Sequence, residues 1–192
     1  MLNVKQWSTE WAGRTLTIEV GKFALQAGSS CTVRYGDTVI LATVVKSKNI
    51  REGIDYFPLM VDFEEKLYAA GKIKGSRFIK REGRPSDEAI LTGRLIDRAI
   101  RPLFDERVRN DVQVILTALS VDGENDAAIV ALIAASAAIT ISPVPWAGPI
   151  AAARVGRKDG QLILNATIKQ IEEGDLDLIV AGTPEKLIMT EA

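Results

Sequence analysis

The sequence predicts a mixed α/β (α+β) domain in which helices pack on β-sheets. Of its 192 residues, 47% are hydrophobic and 26% are charged, a composition that can bury a core. Several short runs with strand-like alternation precede the first segment with helical spacing. A further strand pattern, a second helical segment and more strand patterns follow, an order typical of helices packed on sheets. We expect a single domain over residues 1–192, truncated at its C-terminal end because the last pattern is a strand.

Three strand patterns come first along the chain. Residues 16–20 alternate apolar and polar side chains, as a half-buried strand does. Residues 31–35 and 38–45 form a predicted hairpin, with Gly36 and Asp37 as its two-residue loop. Because residues 38–45 are apolar almost throughout, we expect that strand to lie in the middle of a covered sheet.

The first helix is expected to begin at Ser86, after another predicted strand over 56–63 and an irregular basic stretch over 64–85. Ser86 can cap the helix, and acidic residues follow it in the first turn. The apolar residues of this helix share one stripe at helical spacing, namely Leu91, Leu95, Ile96, Ala99 and Ile100. Three arginines occupy another face, namely Arg94, Arg98 and Arg101. Pro102 marks the approximate end of the helix.

The second half of the chain alternates strands with two further helices. A strand over 112–121 leads to an apolar helix that Asn125 is expected to cap and that runs to about residue 140. A short helix is predicted around residues 167–173. The remaining strand patterns cover residues 150–155, 161–164, 176–181 and 186–190.

The residue inventory excludes several classes of site. Histidine is absent and Cys31 is the single cysteine, so histidine-based nucleophile schemes, histidine zinc sites and an internal disulfide framework are excluded. We expect Cys31 to be an inert, half-buried thiol, and any metal would be a hard cation held by carboxylates. The most apolar run, residues 127–141, is too short to span a bilayer, and no export signal is visible, so we expect a cytoplasmic protein without membrane contact.

Charge is unevenly distributed along the chain. Residues 71–110 contain 11 lysines and arginines against 6 aspartates and glutamates, whereas the net charge of the whole chain is −1. A basic segment on an acidic body is one footprint of a polyanion-binding protein. A solvated helix face followed by a charged loop would produce the same count, and charge alone does not separate the two interpretations.

Motifs spread in one order over nearly the whole chain resemble the first ribonuclease PH-like domain of the bacterial polynucleotide phosphorylase family. The strongest matches are Phe78-Ile79-Lys80-Arg81-Glu82-Gly83-Arg84-Pro85-Ser86 and Arg94-Leu95-Ile96-Asp97-Arg98. Further matches occupy residues 55–59, 68–73, 100–104, 148–156 and 176–183. Ala99 stands where the family pattern has proline.

The resemblance implies a protein with a second ribonuclease PH-like domain that assembles as a homotrimeric ring around a single-stranded RNA channel. It implies degradation of mRNA from the 3′ end with inorganic phosphate as co-substrate and Mg²⁺ as cofactor. By the family pattern, Phe78, Lys80 and Arg81 contact RNA at the neck of the channel. The resemblance extends this expectation to Arg84 and to Ile79, which stands where an aromatic residue is often found. Without the resemblance, Phe78 could equally be a core anchor beside solvated cations.

The groups that break RNA in the family's second domain are not matched in this chain. That domain has a serine-rich turn at the start of the apolar helix, where this sequence has Glu124-Asn125-Asp126-Ala127-Ala128. It also has an Asp-x-Lys on a late strand, where this sequence has Asp177-Leu178-Ile179. We therefore expect no catalytic residue and no metal ligand here, with phosphate and Mg²⁺ bound outside this chain, and Asp177 in a structural role.

Alternatives stay open at this point. The chain could be a single-domain ribonuclease PH-like phosphorolase, or a purely structural, exosome-like ring subunit without RNA contact. The three helix arginines could face RNA or a neighbouring domain, or they could be structural, with Asp97 pairing Arg101 one turn later.

Overall fold

The computed structural model describes residues 2–73 and 83–192. Six strands form the first sheet, in the order β1-β2-β3-β4-β6-β5, and β5 is parallel to β6 while the other neighbours are antiparallel. The strands are β1 (Lys5–Trp11), β2 (Arg14–Val20), β3 (Ser29–Tyr35), β4 (Thr38–Ile50), β5 (Leu59–Glu64) and β6 (Asn110–Ser120). The mixed α/β class predicted from the sequence is confirmed.

A second, antiparallel sheet has the order β10-β9-β7-β8. Its strands are β7 (Ala151–Lys158), β8 (Gln161–Leu164), β9 (Leu176–Gly182) and β10 (Leu187–Glu191). The helices are α1 (Asp87–Ile100), α2 (Ala127–Thr140) and α3 (Ile168–Glu172). No helix within the described residues is long and apolar enough to cross a membrane.

Helix α2 packs against β3, β4 and β6 of the first sheet and against β7 of the second. It is apolar on all sides, as expected for a helix enclosed between two layers. Alanines at positions 131, 134, 135 and 138 are fully buried and leave room for both sheets to approach closely. The hydrophobic core therefore lies around α2, and the start of α2 is held between the two sheets.

The predicted hairpin at Gly36 and Asp37 is confirmed, because Tyr35 faces Thr38 across it. Strand β4 lies between β3 and β6, in the interior of the sheet as expected. Cys31 is 2% exposed rather than half-buried, because its side of β3 faces α2.

Other local features also differ from the sequence prediction. Strand β1 was not anticipated, since its sequence is largely polar and its side chains are mostly exposed. Strand β5 begins at Leu59 rather than at residue 56. Helix α2 is capped by Asp126, whose side chain accepts a hydrogen bond from the backbone N–H of Ala128, and not by Asn125.

Candidate functional site

By the family resemblance, the second domain binds phosphate at the turn that opens the helix equivalent to α2. In this chain the side chain of Asp126 occupies that position. Asp126 caps the helix, with Ala128 N donating to Asp126 Oδ1 over 2.8 Å. A helix start that carries a carboxylate in this place presents negative charge where an anion would otherwise meet free N–H groups.

Arg154 of β7 binds that carboxylate from the other sheet. Its Nη1 donates to Asp126 Oδ2 over 2.8 Å, while its Nε and Nη2 donate to the two carboxylate oxygens of Asp177 over 2.7 and 2.6 Å. The bidentate hydrogen bonds that Arg154 donates to Asp177 raise the pKa of Arg154, and the same contact lowers the pKa of the Asp177 carboxyl. The guanidinium is thus paired with two carboxylates, and the structure shows Asp177 in an ion pair with Arg154.

A second arginine closes the same region from the side of β2. Arg14 Nη1 donates to Asn125 Oδ1 over 2.7 Å and to the backbone oxygen of Asn165 over 3.2 Å, and its guanidinium lies over the ring of Tyr35. Asn125 in turn donates to Asp122 Oδ2 over 2.5 Å. These contacts explain why Asn125 does not cap α2.

The space left among these side chains is very small. The cavity lined by Arg14, Asn125, Asp126, Arg154 and their neighbours has a volume of about 10 Å³. That is close to the least space a single water molecule needs, so a phosphate ion does not fit. Within the described residues, no group of three or more carboxylate or thiol side chains is placed to hold a metal ion. Because Asp126 and Asp177 are both bound by Arg154, these residues do not suit a Mg²⁺ site.

A larger concave surface lies next to the basic segment. This groove has a volume of about 670 Å³ and runs between the chain after β5 and the start of α1. Its charged lining residues are the cations Lys66, Lys72 and Arg84 and the carboxylates Glu64 and Glu65, of which Glu64 pairs with Lys66. Arg84, one of the predicted RNA contacts, is exposed there. The other four predicted contacts, Phe78, Ile79, Lys80 and Arg81, lie outside the described residues.

Two of the three helix arginines have structural partners. Arg101 donates to both carboxylate oxygens of Asp97, over 2.8 and 2.6 Å, and to backbone oxygens of Phe57 and Leu59. Arg98 pairs with Glu191 of β10. Arg94 is exposed. The Asp97–Arg101 pair agrees with the structural alternative.

Sequence reasoning did not single out Arg14 or Arg154. Arg154 stands between Ala151, Ala152, Ala153 and Val155 in a strand of small and apolar residues. A lone arginine in such a strand needs carboxylate partners when it is partly buried. Its position among small and apolar residues could therefore have identified Arg154 from the sequence.

Comparisons with known proteins agree with this architecture. The family model described as "3' exoribonuclease family, domain 1" matches residues 12–145, and "3' exoribonuclease family, domain 2" matches residues 148–192. The chain is 55% identical over 192 residues to polyribonucleotide nucleotidyltransferases of Hyphomonas neptunium and Rhodospirillum centenum, covering 100% of this chain and 27% of each relative. The Heliobacterium modesticaldum protein of the same name is 56% identical over 186 residues, 97% of this chain and 26% of the relative. The chain thus spans about a quarter of the length of these relatives.

Solved structures share the fold at low sequence identity. Rice (Oryza sativa) Rrp46 matches with a TM-score of 0.71 and 16% identity, covering 100% of this chain and 80% of the rice chain. A chain of the Archaeoglobus fulgidus exosome with RNA bound to the active site matches with a TM-score of 0.69 and 16% identity, covering 99% of this chain and 76% of that chain. With its sheets, its enclosed helix and both family matches in one order, the chain belongs to the 3′ exoribonuclease family.

Proposed function

We propose that this chain is the N-terminal, ring-forming and RNA-guiding domain of a polynucleotide phosphorylase, a phosphate-dependent 3′-to-5′ exoribonuclease of mRNA degradation. In this proposal the chain does not itself break RNA. The main observation in support is the closed start of α2. There Arg154 binds Asp126 and Asp177, and the cavity beside them has a volume of only about 10 Å³. The 55% identity to polyribonucleotide nucleotidyltransferases supports the proposal for the parent protein.

The chemistry of phosphorolysis explains why a closed start of α2 matters. Attack by phosphate on a phosphodiester needs the phosphate anion held in place and a cation to absorb charge on the reacting oxygens. Here the anion would meet the Asp126 carboxylate, and the nearby arginine is already neutralised by two carboxylates. We therefore assign inorganic phosphate and Mg²⁺ to a site outside this chain, on a second ribonuclease PH-like domain of a cytoplasmic homotrimer.

The proposed contribution of this chain is to hold single-stranded RNA. Phe78, Ile79, Lys80, Arg81 and Arg84 are the assigned contacts. The groove beside α1 supports this role, because Lys72 and Arg84 line it together with the apolar side chain of Leu67. Cations beside apolar surface suit a strand whose phosphates and bases must both be accommodated.

The catalytic half of the proposal is tested with the purified chain, a short RNA, inorganic phosphate and Mg²⁺. We expect no phosphate-dependent release of nucleoside diphosphates. Release at a rate that Asp177→Ala abolishes would instead identify the chain as a single-domain phosphorolase.

The RNA-guiding half is tested by titrating RNA at several salt concentrations. Replacing Lys80 and Arg81 together by alanine should weaken binding and make the slope of log affinity against log salt shallower by about 1.4, the value for two phosphate contacts to a single strand. The matched control is the double variant Lys46→Ala and Lys48→Ala, which removes two lysines near the far end of β4. Unchanged affinity and slope in the Lys80 and Arg81 variant would leave the chain as a structural ring subunit without RNA contact.

A further inference from the structure

We infer that Tyr68 is a stacking platform for a base of single-stranded RNA. The inference rests on the proposed RNA-guiding function and assigns a role to a residue outside the predicted contacts. Tyr68 lies in a single 3-10 turn, Leu67–Ala70, between β5 and the basic segment, and is 60% exposed. Within residues 2–73 and 83–192 its phenol hydroxyl makes no hydrogen bond. More than half of a large aromatic ring is therefore presented to solvent.

Backbone hydrogen bonds fix the turn that carries Tyr68. Ala69 is 8% exposed, and its backbone oxygen accepts a hydrogen bond from Val121 N, directly after β6, over 2.9 Å. The turn is closed by Lys72 N donating to Leu67 O and by Gly71 N donating to Tyr68 O. Gly71 adopts the left-handed conformation, with φ of 67°, that ends the turn. Anchoring of this kind fixes the backbone under the ring, so little order has to be gained when a base stacks on it.

The turn also sets the ring beside the groove. In a 3-10 turn, side chains three apart share one side, and Leu67 and Ala70 both line the groove. Ala69 is buried, which leaves Tyr68 on the third side of the turn, next in the chain to the groove residue Leu67 but not itself lining the groove. Lys72 and Arg84 line the same groove. A single RNA strand whose phosphates follow these cations would have its bases close to the Leu67–Ala70 turn.

The surroundings of Tyr68 favour RNA over a protein partner. Leu67 and Ile73 are exposed near it, and the latter is 95% exposed, so apolar surface alone would also suit a protein interface. Protein interfaces, however, are depleted of charge at their centre, whereas the adjoining groove is lined by five charged side chains, the cations Lys66, Lys72 and Arg84 and the carboxylates Glu64 and Glu65. An exposed aromatic beside a groove in which cations outnumber carboxylates is an arrangement that suits single-stranded nucleic acid.

The test compares Tyr68→Ala with Tyr56→Ala in binding of a fluorescein-labelled oligoadenylate to the full 192-residue chain. Tyr56 is the matched control, because it is 57% exposed but lies in the loop before β5, away from the groove. We expect Tyr68→Ala to weaken binding by about 5- to 150-fold, the range for loss of one stacked base. Tyr56→Ala and Tyr68→Phe should bind as the unchanged chain does, since neither removes the stacking ring.

Salt dependence separates stacking from charge. Tyr68→Ala should leave the slope of log affinity against log salt unchanged, because no cation is lost. Equal binding by Tyr68→Ala and the unchanged chain would overturn the inference while leaving the RNA-guiding function intact. A change in sedimentation without a change in RNA affinity would assign the ring to a protein interface and overturn it too. If the unchanged chain itself does not bind RNA, the proposed function fails first.

Discussion

Arg154 Nη1 and Asp126 Oδ2 meet over 2.8 Å, across the boundary between the second sheet and the start of the central helix. The side chains of Arg154 and Asp126 are 24% and 15% exposed, so the pair is largely shielded from solvent. Because the same guanidinium also holds Asp177 on β9, three elements are joined at one point. The hydrogen bonds that close the start of α2 to phosphate thus also connect α2 to strands β7 and β9 of the second sheet.

Arg154→Ala should destabilise the protein by about 2 kcal/mol, because it leaves the shielded Asp126 carboxylate and Asp177 without their cation. Urea unfolding followed by circular dichroism measures the loss. The matched control is Arg157→Ala on the same strand, whose ion pair with Asp175 lies at the surface. We expect a much smaller effect there. Equal losses in the two variants would mean that Arg154 does not tie the layers together.

The protein should lose stability in acid, because Asp122 in the turn before α2 becomes protonated. Burial raises the pKa of Asp122, but hydrogen bonds from Asn125 N, Asn125 Nδ2, Glu124 N and Asp37 N outweigh it and lower that pKa to about 2. Because the pKa of this carboxyl is lower in the folded than in the unfolded state, it stabilises the fold at pH values above its unfolded pKa of about 4. This stability is lost as the pH falls from about 4 towards 2.

Asp122→Asn tests this acid sensitivity, because it removes the titrating group and keeps an oxygen that accepts hydrogen bonds. We expect the variant to be less stable than the unchanged chain at pH 6 and the difference to shrink towards pH 2. Urea midpoints over that range give the measurement, and a pH-independent difference would contradict the assignment.

Gly36→Ala should be costly for a reason beyond backbone strain. Gly36 has φ of 58°, and a Cβ there would lie 2.5 Å from Asn125 Nδ2. That amide is held by Asp122 and Arg14 and has little freedom to move away. Gly53 has φ of 77° and nothing within 4 Å of its Cβ position, so Gly53→Ala carries strain alone.

The two glycine variants are compared by thermal unfolding. Gly53→Ala should cost about 1 kcal/mol, the usual strain of a non-glycine residue in the left-handed region. Gly36→Ala should cost about 1 kcal/mol more, because the network at the α2 start must shift. Identical losses would show that Asn125 adjusts freely.

Cys31 should react slowly with thiol reagents in the folded protein. Burial raises the pKa of its thiol to about 12, and its Sγ donates to the backbone oxygen of Ala134. Since the thiolate is the nucleophile, very little of the reactive form exists at pH 8. We expect alkylation by iodoacetamide to become fast only in urea, in step with unfolding. Rapid alkylation without denaturant would contradict the burial of β3 against α2.

Much of the secondary structure was predictable because it depends on short-range patterns. Ser86 caps α1 as expected, with Ala89 N donating to its side chain over 3.0 Å. The Asp97–Arg101 pair, one of the alternatives that helical spacing offered, is present in the structure. Strand β1 escaped prediction because exposure on both faces removes the apolar alternation that reveals a strand.

The cap of α2 shows where local reasoning stops. Asn125 and Asp126 are both good capping residues, and nothing in their immediate neighbourhood distinguishes them. The choice depends on Arg14, which binds Asn125 from 111 positions earlier in the chain. A contact of that separation exists only after the first sheet has formed.

The amino-acid sequence by itself determined the mixed α/β class, the hairpin at Gly36 and Asp37, the first helix and the family. These depend on chain periodicity, turn chemistry and motif order, which act over a few residues or along the chain. Only the tertiary structure decided that Arg154 would close the start of α2, because its carboxylate partners lie 28 and 23 positions away on different elements. Folding brings those charges together, and the Asp126 carboxylate and the small space beside it, about 10 Å³, then exclude a competing anion.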